Sequence, residues 1–220
     1  FALGWRFRAL GPAFVVALFA VLSYRSSWGM IFHSENLLLL HALVLAVAPS
    51  ADVWSLDARR GAPPPRRHGH GWPLRVIAAV TVCAYLLAGI AKLRLNGWDW
   101  VTGEYLRHHV AYDALRKVQL GAMASPIGTA MVAHGWMFPP FAAFAVAVEL
   151  GAPLGLVGRW PGRIWAVGIW LFHWGVLAVM GIPFHYALSG FAFVAFFDVE
   201  RWARGLERWV RRRARAREPA

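Results

Sequence analysis

Lys92 closes an apolar run that begins at Tyr85, and Trp98, Trp100 and Gly103 follow it at once. An ionisable side chain at the end of a membrane span is costly to place, and such residues mark proton paths, substrate sites or ion pairs. Lysine has two ways to meet that cost. Its stem can lie in lipid while the ammonium reaches the headgroups. Turned inward, it is stripped of water, and a neutral amine can then act as a base. Position along the chain leaves both open.

A second set of titratable groups stands near it in kind. His33, His41, His134, His173 and His185 all lie in or beside apolar segments, and so does Glu149. Six such groups must each find a partner or stay neutral, so together they predict a polar chamber inside a bundle. A hydrogen bond between helices and a cofactor contact are both open for any one of them. No two histidines recur at a haem-like spacing, and His108–His109 with scattered others falls short of a di-iron set. The HExxH, Walker and Rossmann patterns are absent. Cys83 is the single cysteine, so neither an intrachain disulfide nor a cysteine metal motif is available.

The elements that must position these groups follow from composition. The 220 residues are 59% hydrophobic with 13 tryptophans, and mean hydropathy is +0.47. An ordinary soluble domain is about half apolar. The chain reads as an all-α integral membrane protein with six helices. They cover about Leu10–Tyr24, Asn36–Ala48, Leu74–Leu93, Met137–Val157, Arg163–Met180 and Phe184–Phe197. Ala9–Tyr24 follows Arg6 and Arg8 as a signal peptide would, but Arg25 interrupts any small-residue cleavage site, so it counts as a span. Pro153 is expected to bend the fourth helix.

The net charge of +12 does not argue for nucleic acid, because the basic residues cluster beside spans. With both termini cytoplasmic, the inner regions hold 17 of the 23 Lys and Arg and the outer regions 6. That bias follows the positive-inside rule and puts Lys92 on the outer side. Residues 1–200 form one transmembrane domain. Within it, 58–73 is a Pro/Gly/Arg cytoplasmic loop and 96–120 an aromatic segment at the outer interface. Residues 201–220 form a basic tail whose Trp202, Leu206 and Trp209 fall at helical spacing opposite arginines, which predicts a helix facing anionic lipid headgroups. Arginine outnumbers lysine 21 to 2, a composition that fits a GC-rich bacterial genome and a multi-pass protein of the bacterial cytoplasmic membrane.

Three blocks then resemble a known family. The first is His33 and Ser34, a span, and Val53, Trp54, Ser55, Leu56 and Asp57. The second runs from Tyr85 to Leu93, followed by Trp100 and Gly103. The third is Val132, Ala133, His134 and Gly135 leading into the span with Glu149, then His173 and Phe196, Phe197 and Asp198. In their order the blocks are similar to the horizontally transferred transmembrane (HTTM) domain, the membrane portion of vitamin K-dependent gamma-carboxylase and its bacterial relatives. The resemblance implies that Lys92 takes the place of the base that deprotonates reduced vitamin K. It also implies that His33 and His134 stand around the naphthoquinone ring. In the carboxylases, oxygen then converts the hydroquinone to an epoxide through a strong base that removes a γ-proton from a substrate glutamate, and CO₂ traps the carbanion. Two positions depart from the family: Phe32 replaces an asparagine, and Ala91 replaces the first of two lysines. Within these 220 residues no stretch matches the carboxylases' large peptide-binding region.

The expectation is therefore a gamma-carboxylase-like bundle with an outward-facing chamber for a reduced naphthoquinone of the menaquinone or vitamin K type, or for another lipophilic molecule. Lys92, His33 and His134 would be catalytic, and His41, Glu149, His173 and His185 would contact the cofactor. A competing expectation is a non-catalytic subunit that packs against other membrane proteins in a respiratory or photosynthetic complex. Lys92 would then snorkel, or pair with Asp99 or Glu104. A transporter lacks the support of an inverted repeat.

Overall fold

The computed structural model describes residues 3–28, 33–53, 55–60 and 71–215, and among these every regular element is helical. The helices are α1 (Phe7–Ser26), α2 (His33–Val47), α3 (Trp72–Asn96), α4 (Glu104–Gln119), α5 (Pro126–Val132), α6 (Phe138–Leu150), α7 (Leu154–Val157), α8 (Arg159–Met180), α9 (His185–Leu188) and α10 (Val199–Arg215). Short 3₁₀ turns occupy Gly97–Trp100, Gly135–Met137 and Phe191–Phe196.

Among the described residues three helices are long and apolar enough to cross a membrane: α1, α3 with its 3₁₀ extension, and α8. A fourth candidate is the pair formed by Pro126–Val132 and Gly135–Leu150, bent by 115°. The apolar part of α2, Glu35–Val47, is shorter than a span. Val16, Phe19 and Ile164 are more than half exposed on α1 and α8, as lipid-facing residues are.

The structure departs from the expected elements in three places. The expected helix Met137–Val157 ends at Leu150, and a turn containing Pro153 separates it from α7. Upstream of it, α5 was not anticipated. Ser125 starts α5 by accepting the Gly128 N–H at its hydroxyl, and Pro126 opens the first turn. The expected span Phe184–Phe197 is α9 followed by a 3₁₀ turn, because the chain breaks at Gly190, whose φ of 78° disfavours a side chain. This segment nevertheless runs back along α8. Phe184 packs on His173 (ring centroids 5.1 Å apart), Trp170 Nε1 donates to Leu188 O (2.9 Å), and Phe196 packs on Trp165 (5.1 Å).

Two clamps hold the ends of the bundle. Asp57 accepts the backbone N–H groups of Phe7 (2.8 Å) and Arg6 (2.9 Å), capping α1 from a distant loop. Those two bonds, the Phe7 one foremost, hold its carboxyl below the ordinary aspartate range. At the other end, Lys117 on α4 donates to Asp113 (2.7 Å) and to the Met180 carbonyl that ends α8. Ser125 donates to Ala178 O (2.6 Å), so α4 and α5 are both pinned over the end of α8. Residues 61–70 of the expected cytoplasmic loop lie outside the described residues.

Candidate functional site

The second halves of α3 and α8 line a cavity of about 790 Å³, together with α2, α6, Leu106 of α4, Met131 of α5 and the chain around α9. Its walls are mostly apolar, with Leu37, Leu87, Phe141, Phe144, Leu171 and Val176 among them. Asn36, Tyr85, Lys92, Trp100, Glu149, His173 and Tyr186 supply the polar groups.

Tyr85, Ala88 and Lys92 line the cavity because spacings of three and four place them on one face of α3. Lys92 turns inward. Its Nζ lies 2.5 Å from both carboxylate oxygens of Glu149, and the two side chains are 20% and 3% exposed. Long side chains on a helix lean toward its N-terminus, which brings Lys92 back over the turn containing Gly89. A Cβ on Gly89 would stand 3.0 Å from Glu149 Cβ and 3.1 Å from Leu150 N. The missing side chain lets α3 and α6 approach closely enough for the pair to form. The 3₁₀ turn Gly97–Trp100 then folds the chain back, and the Lys92 ammonium lies 5.4 Å from the Trp100 ring centroid. Trp100 in turn stacks on His109 of α4 (5.8 Å).

A second polar locus lies further along the same face. Tyr85 OH and His173 Nε2 are 2.7 Å apart, and the His173 ring touches Phe184 and Phe172. His173 Nδ1 is buried without a hydrogen-bond partner among the described residues. Behind the wall, Thr81 donates to Ile77 O (2.8 Å), so its oxygen accepts from His41 Nε2 (3.0 Å). His41 Nδ1 is then left to accept from Tyr186 OH (2.7 Å). His41 thus holds Tyr186 against the cavity without lining it.

The seven residues singled out from the sequence are distributed unevenly. Lys92, Glu149 and His173 share the cavity. His41 stands one hydrogen bond behind it. His134 is exposed, with Nδ1 3.2 Å from Ala130 O, and His185 is exposed at the start of α9; neither lines the cavity. His33 begins α2, and its side chain lies outside what is described. Lys92 pairs with neither Asp99 nor Glu104. Sequence reading missed Tyr186 and Asn36, and it quoted Tyr85 and Trp100 only as parts of a motif. Tyr85 could have been found, since it lies two turns before Lys92 on the same face. Among the described residues no group of three or more His, Cys, Asp or Glu could hold a metal ion.

The family model of the HTTM domain matches residues 1–174. The chain belongs to the HTTM domain family. It is therefore a helical membrane domain of the carboxylase-like family, and the Tyr85–Lys92 block of this HTTM domain forms the cavity wall. No curated protein and no solved structure matches it. Its other two blocks are partly structural: Asp57 clamps α1, and Asp198 holds Arg159, Arg163 at 3.0 Å and Arg201 at 3.7 Å.

Proposed function

We propose that this HTTM domain binds a reduced naphthoquinone, or a lipophilic phenol of similar shape, and that Lys92 takes the proton from its hydroxyl. One observation carries the reading: a lysine–carboxylate pair is set into the wall of an otherwise apolar cavity. A volume of about 790 Å³ lies within the usual range for small-molecule sites, and apolar walls with a few convergent polar groups are their common character. The residues present therefore fit such a group, with Lys92 and Glu149 at one polar locus and Tyr85 and His173 at the other.

Bound there, a reduced naphthoquinone supplies an acidic hydroxyl and a ring that reacts with oxygen once deprotonated. The chain's own part is proton handling. In this reading Lys92 passes its proton to Glu149 and faces the cavity as an amine. Lys92 Nζ then accepts the hydroxyl proton, and the ammonium formed is balanced by the ligand's oxyanion, with the now protonated Glu149 and the Trp100 face beside it. His41 and Thr81 keep Tyr186 in place.

Binding tests the reading. One molecule of a soluble menaquinol analogue is expected to bind per chain in nanodiscs, quenching tryptophan fluorescence. Ala88→Trp, which fills the cavity beside Lys92, is expected to abolish it. Failure of the unaltered chain to bind, or equal binding by the variant, would remove the proposal.

The same reading includes six membrane-crossing segments with both termini in the cytoplasm. It is supported by the uneven charge distribution and by the return of residues 184–198 along α8. In a Cys83→Ser background, an impermeant maleimide should label Met123→Cys in intact cells and Arg59→Cys only after lysis. The reverse pattern would invert the topology and turn the cavity inward.

A further inference from the structure

We propose that α10 and the arginine hub at its root are a docking surface for anionic phospholipid headgroups, separate from the cavity at the other end of α3 and α8. Asp198 sits among three guanidinium groups, those of Arg159, Arg163 and Arg201. One carboxylate offsets one of them, so the hub carries two surplus positive charges. Nε of Arg163 is buried without a hydrogen-bond partner among the described residues. Arg159 and Arg163 lie in the first turns of α8, a helix long enough to cross a bilayer, which places the hub where that helix meets the headgroups. Trp160 and Trp202 beside it are 71% and 76% exposed, as aromatic residues are at that depth.

From this hub α10 departs with two opposed faces. Val199, Trp202, Leu206 and Trp209 recur at intervals of three and four and form one apolar stripe, each of them exposed. Arg201, Arg204 and Arg208 follow the same spacing on the opposite side. From Val199 to Arg217 the chain holds eight arginines against Glu200 and Glu207. A nucleic acid would meet the charge and leave the tryptophan stripe in water. A bilayer surface with anionic lipids meets both faces at once, the stripe entering the acyl boundary and the arginines reaching phosphate.

Hydrogen exchange of the α10 amides tests this on the full chain in nanodiscs. Adding phosphatidylglycerol to phosphatidylcholine discs should slow exchange across Val199–Arg215, and high salt should reverse the gain. Arg204→Gln and Arg208→Gln should each reduce the gain roughly fivefold. The Trp202→Glu/Leu206→Glu double variant should remove it while the rest of the chain keeps its protection. Three outcomes would overturn the proposal. They are equal exchange in the two kinds of disc, equal protection by inorganic phosphate in phosphatidylcholine discs, and protection that appears only with a co-purified protein.

Discussion

Lys92→Arg is expected to fold, to keep its ion pair and its ligand, and to lose proton transfer. Arginine preserves the positive charge opposite Glu149 and the contact with the Trp100 ring. It cannot serve as an amine base, because the guanidinium is not deprotonated in proteins. Positioned acid–base groups contribute about 10²–10⁴-fold in rate, and a loss of that size is expected. The measurement is the oxygen-dependent disappearance of a reduced naphthoquinone from its ultraviolet absorbance, at saturating ligand. Binding affinity should move only a few-fold. A variant that oxidises the ligand at the unaltered rate would assign Lys92 to structure alone. The choice of residue gives this substitution its force: the chain has 21 arginines and only two lysines, and both lysines are paired with carboxylates in partly buried positions.

Removing either member of the pair should destabilise the bundle far more than removing both. Lys92→Met leaves the Glu149 carboxylate, 3% exposed, facing apolar wall without a counter-charge. Glu149→Leu leaves the ammonium in the same position. Breaking a buried pair in this way costs about 3–5 kcal/mol, while replacing both partners by apolar side chains is often neutral. Lys92 keeps 20% of its side chain exposed, so the lower end of that range applies to Glu149→Leu. The Lys92→Met/Glu149→Leu double variant should recover most of the loss in a denaturant titration and still be inactive. Additive losses in the double variant would show that the two residues do not act as a pair.

These two experiments turn on a contact between residues 57 apart in sequence. Lys92 was legible as a candidate because a charge inside an apolar run is expensive wherever it points. Its partner was not. Asp99 and Glu104 are closer along the chain, but the packing of α6 against Gly89 of α3 decides for Glu149. The histidines show the same limit from the other side. His134 and His185 lie beside apolar segments as His173 does, yet they are exposed while His173 is buried in the cavity wall. Apolar neighbours in sequence do not say which side of a short helix a residue takes, and both of these stand at the edges of short elements. The 115° bend between α5 and α6 was also hidden, since Pro139 and Pro140 are equally compatible with the first turn of a straight span.

By itself, the sequence determined that this is a helical membrane protein with a few costly polar groups, and it carried the blocks of the HTTM family. Those properties are sums over composition and local spacing, because apolar area and helical periodicity need no knowledge of what packs against what. Only the tertiary structure decided that Lys92 turns inward to Glu149, that Tyr85 joins His173, and that His41 stands behind Tyr186. A buried polar group is satisfied by whichever partner helix packing brings within hydrogen-bond reach, and that distance is set by close approaches such as the one at Gly89 rather than by separation along the chain.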